Sequence, residues 1–241
     1  MNFLTRNKEK LNYLKWWDIL IITLIMFGYF IYSSTTSFFG LPDTNITQIP
    51  EFTNDANWQA LVLQLVLLAI TFMYLYLRNF DFSSWKIKVN FKSILMGIAI
   101  FIGVALLFDI YYTVVYRLFP IDNSMLYEAQ QASENLSIFQ NIDLSLILYS
   151  MLNGFYEEIF FLGVCLSVKP EKRKYYFIYS LVIRYSFHTY QGNVSALAIG
   201  FLVGGIYYFL YTREKEKNLF PFFLAHAITD VFGAGIISYF F

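Results

Sequence analysis

Residues 142–168 read IDLSLILYSMLNGFYEEIFFLGVCLSV. The stretch is long and apolar enough to cross a bilayer, whose hydrocarbon core asks for about 20 such residues. Yet two adjacent glutamates, Glu157 and Glu158, stand near its middle. An ionisable side chain at that depth is costly, so it marks a paired or functional group. Six further apolar runs flank it, at 17–35, 58–77, 94–116, 175–190, 194–211 and 220–239. The composition agrees with a chain that lives in lipid. Hydrophobic residues make up 58% and charged residues 14%, against about 25% charged in a soluble domain. With 27 Phe and 20 Tyr the chain is the opposite of a disordered one. Its net charge of +0 gives no basic surface for nucleic acid. Cys165 is the single cysteine, so no internal disulfide and no Cys-x-x-Cys motif exists.

The seven runs predict an all-α, polytopic bundle of seven transmembrane helices. Lys and Arg set its orientation. They gather before the first run (Arg6, Lys8, Lys10, Lys15), between the second and third (Arg78, Lys86, Lys88, Lys92), between the fourth and fifth (Lys169, Lys172, Arg173, Lys174) and between the sixth and seventh (Arg213, Lys215, Lys217). The alternate connections hold only Arg117. An odd number of crossings with a cytoplasmic N-terminus and an outside C-terminus places every basic segment inside. The first run is longer than a signal-peptide core and lacks an Ala-x-Ala site, which reads as a retained anchor. The outer connections carry Pro42, Asp43, Glu51 and Asp55, then a polar stretch at 122–140 suited to a short surface helix. No internal repeat is visible, so an inverted-repeat transporter gains no support.

Ionisable residues within the runs cluster in the last four: Glu157 and Glu158, then Arg184 and His188, then His226 and Asp230. Both histidines of the chain are among them. Arg184 and His188 are one turn apart, as are His226 and Asp230, so each pair shares a helix face. Glu157 and Glu158 point about 100° apart and cannot do the same job. Asn153 stands one turn before Glu157 on the same face. Glu158 lies 11 residues from Lys169 and His226 9 residues from Lys217, a similar depth. His188, 14 residues from Lys174, lies about a turn deeper. A buried glutamate can take a proton from water, and a histidine with a polar neighbour can support an oxyanion. Glu157, His188 and His226 also offer the donor types of a zinc site. That metal alternative is weak, because no His-Glu-x-x-His motif is present. Asp109 is a further acid toward the outer end of the third run. Ala196, Gly200 and Gly204 form a small-residue stripe suited to close packing inside the bundle.

Glu157-Glu158, a histidine in the next span, and His226-x-x-x-Asp230 resemble the CAAX protease and bacteriocin-processing (Abi) family of intramembrane glutamic endopeptidases. The resemblance covers roughly 144–235. It implies a division into an N-terminal membrane segment (1–141) and a CAAX-protease-like core of four helices (142–241). It implies Glu157 and Glu158 as the activating pair, with Glu157 the base. His188 falls on the second-motif histidine, and His226 and Asp230 fall on the third motif, with an oxyanion and orienting role. It implies no cofactor for a metal-free glutamic peptidase, although a divalent ion such as zinc is the alternative within the family. Two positions depart from the pattern: the first-motif arginine is Leu162, and the second-motif phenylalanine is Arg184. One arginine is lost from the fourth span and one gained on the fifth, so Arg184 is expected to neutralise Glu158 from the neighbouring helix.

These readings converge on a membrane-embedded endopeptidase in a bacterial cell membrane. It would act on peptides or membrane-tethered proteins, such as pheromone or bacteriocin precursors. A non-catalytic immunity or signalling scaffold of the same fold is the alternative. A proton-coupled transporter using the buried acids and histidines is a third. The oligomeric state is left open.

Overall fold

The computed structural model describes residues 9–40, 53–119 and 142–235. Arg6, Lys8, most of the first outer connection, the expected surface helix at 122–140 and the end of the last run lie outside the described residues. The described residues form helices and turns without a β-strand, apart from two isolated bridges, Leu11 with Phe80 and Lys86 with Asn218.

Helices stand at all seven expected places. They are α1 (Trp16–Gly40), α2 (Asn54–Leu77), α3 (Phe91–Leu118), α4 (Leu144–Glu158), α5 (Arg173–His188), α6 (Asn193–Arg213) and α7 (Phe220–Phe232). Local chemistry sets their ends. Thr53 caps α2 through Ala56. Asn90 and Ser93 form a reciprocal capping box at α3. Asp143 accepts from the Leu146 amide at the start of α4. Pro221 occupies the first turn of α7, and Gly233, at φ 82°, ends it.

Length and apolarity qualify four helices as membrane spans: α1, α2, α3 and α6. The shortfall from seven has a physical reason. α5 and α7 are 16 and 13 residues long and, with α4, carry the ionisable side chains. α4 leaves the α-helical pattern directly after Glu158, widening into a π-helix over Ile159–Val164. α6 contains a second π-helix, Ala198–Val203.

Exposure is inverted relative to a soluble fold. Large apolar side chains such as Leu24, Tyr29, Val62, Met73 and Ile110 point outward, a continuous surface suited to lipid. With the helices, this makes the chain an integral membrane protein. Inside, Phe27 of α1 meets Tyr156, Phe160, Phe161 and Phe187, tying α1 to α4 and α5. The Tyr156 hydroxyl donates to the Met26 carbonyl. Asp18, fully buried, accepts from Tyr74 (2.6 Å) and Arg78 (2.8 Å), joining the starts of α1 and the end of α2. Small residues set the closest approaches. A Cβ on Gly200 would lie 2.8 Å from that of Tyr185, so the stripe of α6 packs against α5 inside the bundle, as its spacing predicts.

The basic segments meet at one end. Leu11 donates to Asn79, Leu14 to Ser167 and Leu219 to Lys86, which links the segments before α1, after α2, after α4 and before α7. Lys88 pairs with Glu216 at 2.8 Å and Lys10 with Asp81 at 3.1 Å, both exposed. The Ser83 hydroxyl, with Lys10 behind it, holds the Asp81 carboxyl below its ordinary range. At the opposite end Ser34 bonds Thr189 (2.9 Å), and Asn54 bonds Asp143 (2.8 Å).

Candidate active site

The two glutamates take different roles because the helix turns between them. Glu158 has no exposed surface. Its Oε1 and Oε2 accept from Arg184 Nη2 at 2.9 and 2.8 Å, and Oε1 also accepts from His226 Nδ1 at 2.8 Å. Every oxygen of Glu158 is therefore engaged. The Arg184 guanidinium lies 4.0 Å from the centre of the Phe161 ring, an arrangement that shields a buried cation. Gly204 of α6 packs close to α5 here; a Cβ there would lie 2.6 Å from Leu181 Cδ2 and at ordinary contact distance, 3.7 Å, from Arg184 Cδ and Nε. The guanidinium thus reaches Glu158 from α5, the helix on which the sequence departs from the family pattern. Leu162, at the family's arginine position, is buried.

Glu157 is held more loosely. Its Oε1 is 3.4 Å from Asn153 Nδ2 and 3.7 Å from His226 Nε2. Its Oε2 faces Arg184 Nη1 at 3.7 Å, and neither atom has a hydrogen-bond partner among the described residues. Glu157 also lines a cavity of about 350 Å³, together with Asn153, Tyr149, Gln64 and Asp230. One glutamate is therefore locked into the scaffold by hydrogen bonds, and its neighbour lines the cavity on longer, weaker contacts.

His226 bridges the pair. With Nδ1 given to Glu158, its Nε2 looks toward Glu157, Asp230 Oδ1 at 3.6 Å and Asn153 Nδ2 at 3.5 Å. The Asn153 amide donates to Asp230 Oδ2 at 2.9 Å, and its oxygen accepts from Gln64 Nε2 at 2.7 Å. The Gln64 bond fixes which way the Asn153 amide faces, so that its NH2 points at the carboxylates. Arg184 neutralises Glu158, and hydrogen bonds and ion pairs hold the others within the protein interior.

His188 stands apart from this cluster. It is buried, with Nδ1 donating to the Arg184 carbonyl at 2.7 Å. Among the described residues it makes no hydrogen bond to either glutamate. His188 therefore does not join Glu157 and His226, the other members of the metal alternative, in one donor group. The donors that come within 4.8 Å of one another are those of Glu157, Glu158 and His226. His188 is kept out because its ring is turned back onto its own helix. The remaining set fits a divalent ion poorly. Glu158 and His226 Nδ1 already satisfy each other, and an ion on that carboxylate would sit against the Arg184 cation.

Two contributors escape a reading by motif. Gln64 comes from α2, far from the motifs in sequence; its signal is a lone amide in an apolar span. Gly154 lets α7 approach α4: a Cβ there would lie 2.5 Å from the Phe223 carbonyl oxygen and 3.3 Å from His226 Cβ. Its signal is weak, a glycine one turn ahead of Glu158. Asp109 lies at the far end of α3, where a Cβ on Gly235 would stand 2.7 Å from its Oδ1, and it does not join the cluster.

Residues 140–232 match the Rce1-like family, described as type II CAAX prenyl endopeptidase Rce1-like. No curated protein and no solved structure matches the chain.

Proposed function

Because residues 140–232 match the Rce1-like type II CAAX prenyl endopeptidase family, we propose that the protein is an intramembrane endopeptidase in which Glu157 activates water. The observation that carries this reading is the unequal treatment of the two glutamates. Glu158 is consumed by Arg184 and His226 at hydrogen-bond distance, and Glu157, held only by longer contacts, lines the cavity. Glu157 takes a proton from water. The resulting hydroxide attacks the scissile carbonyl, and the proton passes to the leaving amine. Asn153, which lines the same cavity, and His226, whose Nε2 lies 3.7 Å from Glu157 Oε1, stabilise the developing oxyanion. Asp230 and Gln64 orient Asn153, and Glu158 with Arg184 orients His226. His188 serves as a positioning residue by holding the carbonyl of Arg184. The chemistry runs without a metal, an assignment that rests on the internal pairing of the donor set.

The chain crosses the membrane seven times, with the basic segments in the cytoplasm. Support comes from the hydrogen bonds that gather those segments at one end. The substrates are peptides or membrane-tethered proteins, such as peptide pheromone or bacteriocin precursors in a bacterial membrane.

The test compares wild type, Glu157→Gln and His226→Ala at matched expression in the native host. Membrane and secreted peptides are profiled by mass spectrometry, with and without a chelator. At least one processed peptide should fall by about 100-fold or more in both variants, and its production should survive chelation. If all profiles match while a protective or signalling phenotype persists in the variants, the fold acts as a binding scaffold and the catalytic reading is wrong. Loss of processing on chelation would overturn the metal-free chemistry alone.

A further inference from the structure

The cavity has a direction. From Glu157, which is buried, it passes Asn153 and Ser34, also buried, then the half-buried Ser33, and reaches Ser37, which is exposed near the C-terminal end of α1. Every step leads away from the basic segments. Lys10, Lys88 and Lys169 lie at the opposite end, tied together through Leu11, Leu14 and Leu219. Its charge is also one-sided. Glu157 and Asp230 are the charged side chains that line it; the other polar groups are neutral hydroxyls and amides. Around the cluster, three carboxylates (Glu157, Glu158, Asp230) are set against one guanidinium, which faces Glu158 at 2.8 Å and Glu157 at 3.7 Å behind the cavity wall, and His226. Among the described residues, the lining offers an entering peptide two acids and no cationic side chain. A cationic side chain meets Asp230, which keeps some exposed surface toward the cavity.

We propose that the site is entered from the face opposite the basic segments and selects a peptide with a cationic residue beside the scissile bond, Asp230 being the specificity determinant. This rests on the endopeptidase reading, and the experiments separate the two. Access is read first, in intact cells. Ser37→Cys and Lys88→Cys are treated with a membrane-impermeant maleimide; native Cys165 is fully buried and stays in place. Ser37→Cys should label in intact cells and Lys88→Cys only after permeabilisation. The reverse pattern overturns the proposed entry.

Specificity is read on the purified full chain in phosphatidylglycerol–phosphatidylcholine vesicles. The probes are synthetic decapeptides, randomised alike except for one central Lys, Gln or Glu. Cleavage should favour Lys over Glu by about 10-fold or more, the scale of one partly desolvated charge pair. The Lys:Gln ratio should collapse toward unity in Asp230→Asn, whatever that change does to the absolute rate. Cleavage lost in Glu157→Gln but indifferent to the central charge refutes the selectivity and keeps the peptidase. No cleavage of any probe by wild type, alongside unchanged host peptide profiles in Glu157→Gln, refutes the peptidase and with it the selectivity.

Discussion

Arg184→Leu is expected to destabilise the bundle by about 3–5 kcal/mol, the scale seen when one partner of a buried ion pair is removed. Leu is close in volume to the aliphatic part of Arg, so packing loss contributes little. The cost comes from Glu158, which keeps no exposed surface and loses both contacts to Nη2. His226 remains as its partner, but it also serves Glu157 and Asp230. Thermal unfolding of the purified protein in detergent checks this. The double variant Arg184→Leu with Glu158→Gln should regain most of the lost stability, because no uncompensated charge remains. It should not regain proteolysis, since the carboxylate that holds His226 Nδ1 is gone. A single variant as stable as wild type would show that the pair is not a structural clamp.

The same contact gives the departure from the family pattern a physical meaning. Position 162 lies one turn past Glu158 on its own helix; position 184 reaches Glu158 from α5. Either route can deliver a guanidinium to a buried carboxylate. Leu162→Arg with Arg184→Phe should therefore outperform Arg184→Phe alone, in both stability and peptide processing. Equal behaviour of the two would refute compensation.

How much of this was legible in the sequence depended on the kind of signal. The helices were legible because lipid demands long apolar runs, and all seven expected segments are helical. Their crossing status was less so: α4, α5 and α7 spend apolar length on Glu158, Arg184 and Asp230, and the π-turn after Glu158 has no mark in composition. The similar depth of Glu158 and His226 was readable from their distance to the flanking lysines, and the pairing of Arg184 with Glu158 was expected only from the two departures from the motif pattern. The orientation of His188 was not readable, because a bond to its own helix backbone, at Arg184, competes with any bond across the bundle. Gln64 was hidden for another reason. Its meaning comes from a partner 89 residues away, and no periodicity within α2 announces a contact with α4.

Gly154→Val should abolish processing while leaving the protein in the membrane. Gly154 faces the backbone of α7, not a flexible side chain. A Cβ at this position would lie 2.5 Å from the Phe223 carbonyl oxygen and 3.0 Å from the Ala227 amide nitrogen. Neither atom can yield without moving the helix axis. α7 is also gripped from its other side: a Cβ on Gly97 of α3 would come 3.0 Å from the Pro221 carbonyl oxygen. α7 therefore cannot simply retreat toward α3, and the strain falls on its register against α4. Overpacking of this kind costs about 1–3 kcal/mol. The functional loss should be larger than that suggests, because a shift of about 1 Å in a catalytic group can cost about 100-fold. His226, whose Cβ would sit 3.3 Å from the added Cβ, is the group displaced. Its 2.8 Å bond to Glu158 and its approach to Glu157 are lost together. The prediction is checked by pairing two measurements on Gly154→Val and on Gly154→Ala. Detergent-solubilised melting should show a modest, graded loss from Ala to Val. Peptide processing should fall steeply in both, further than the same loss of stability produces at a site away from α7. If activity merely tracks stability across the two variants, the close approach of α4 and α7 is a packing feature and does not set the geometry of the site.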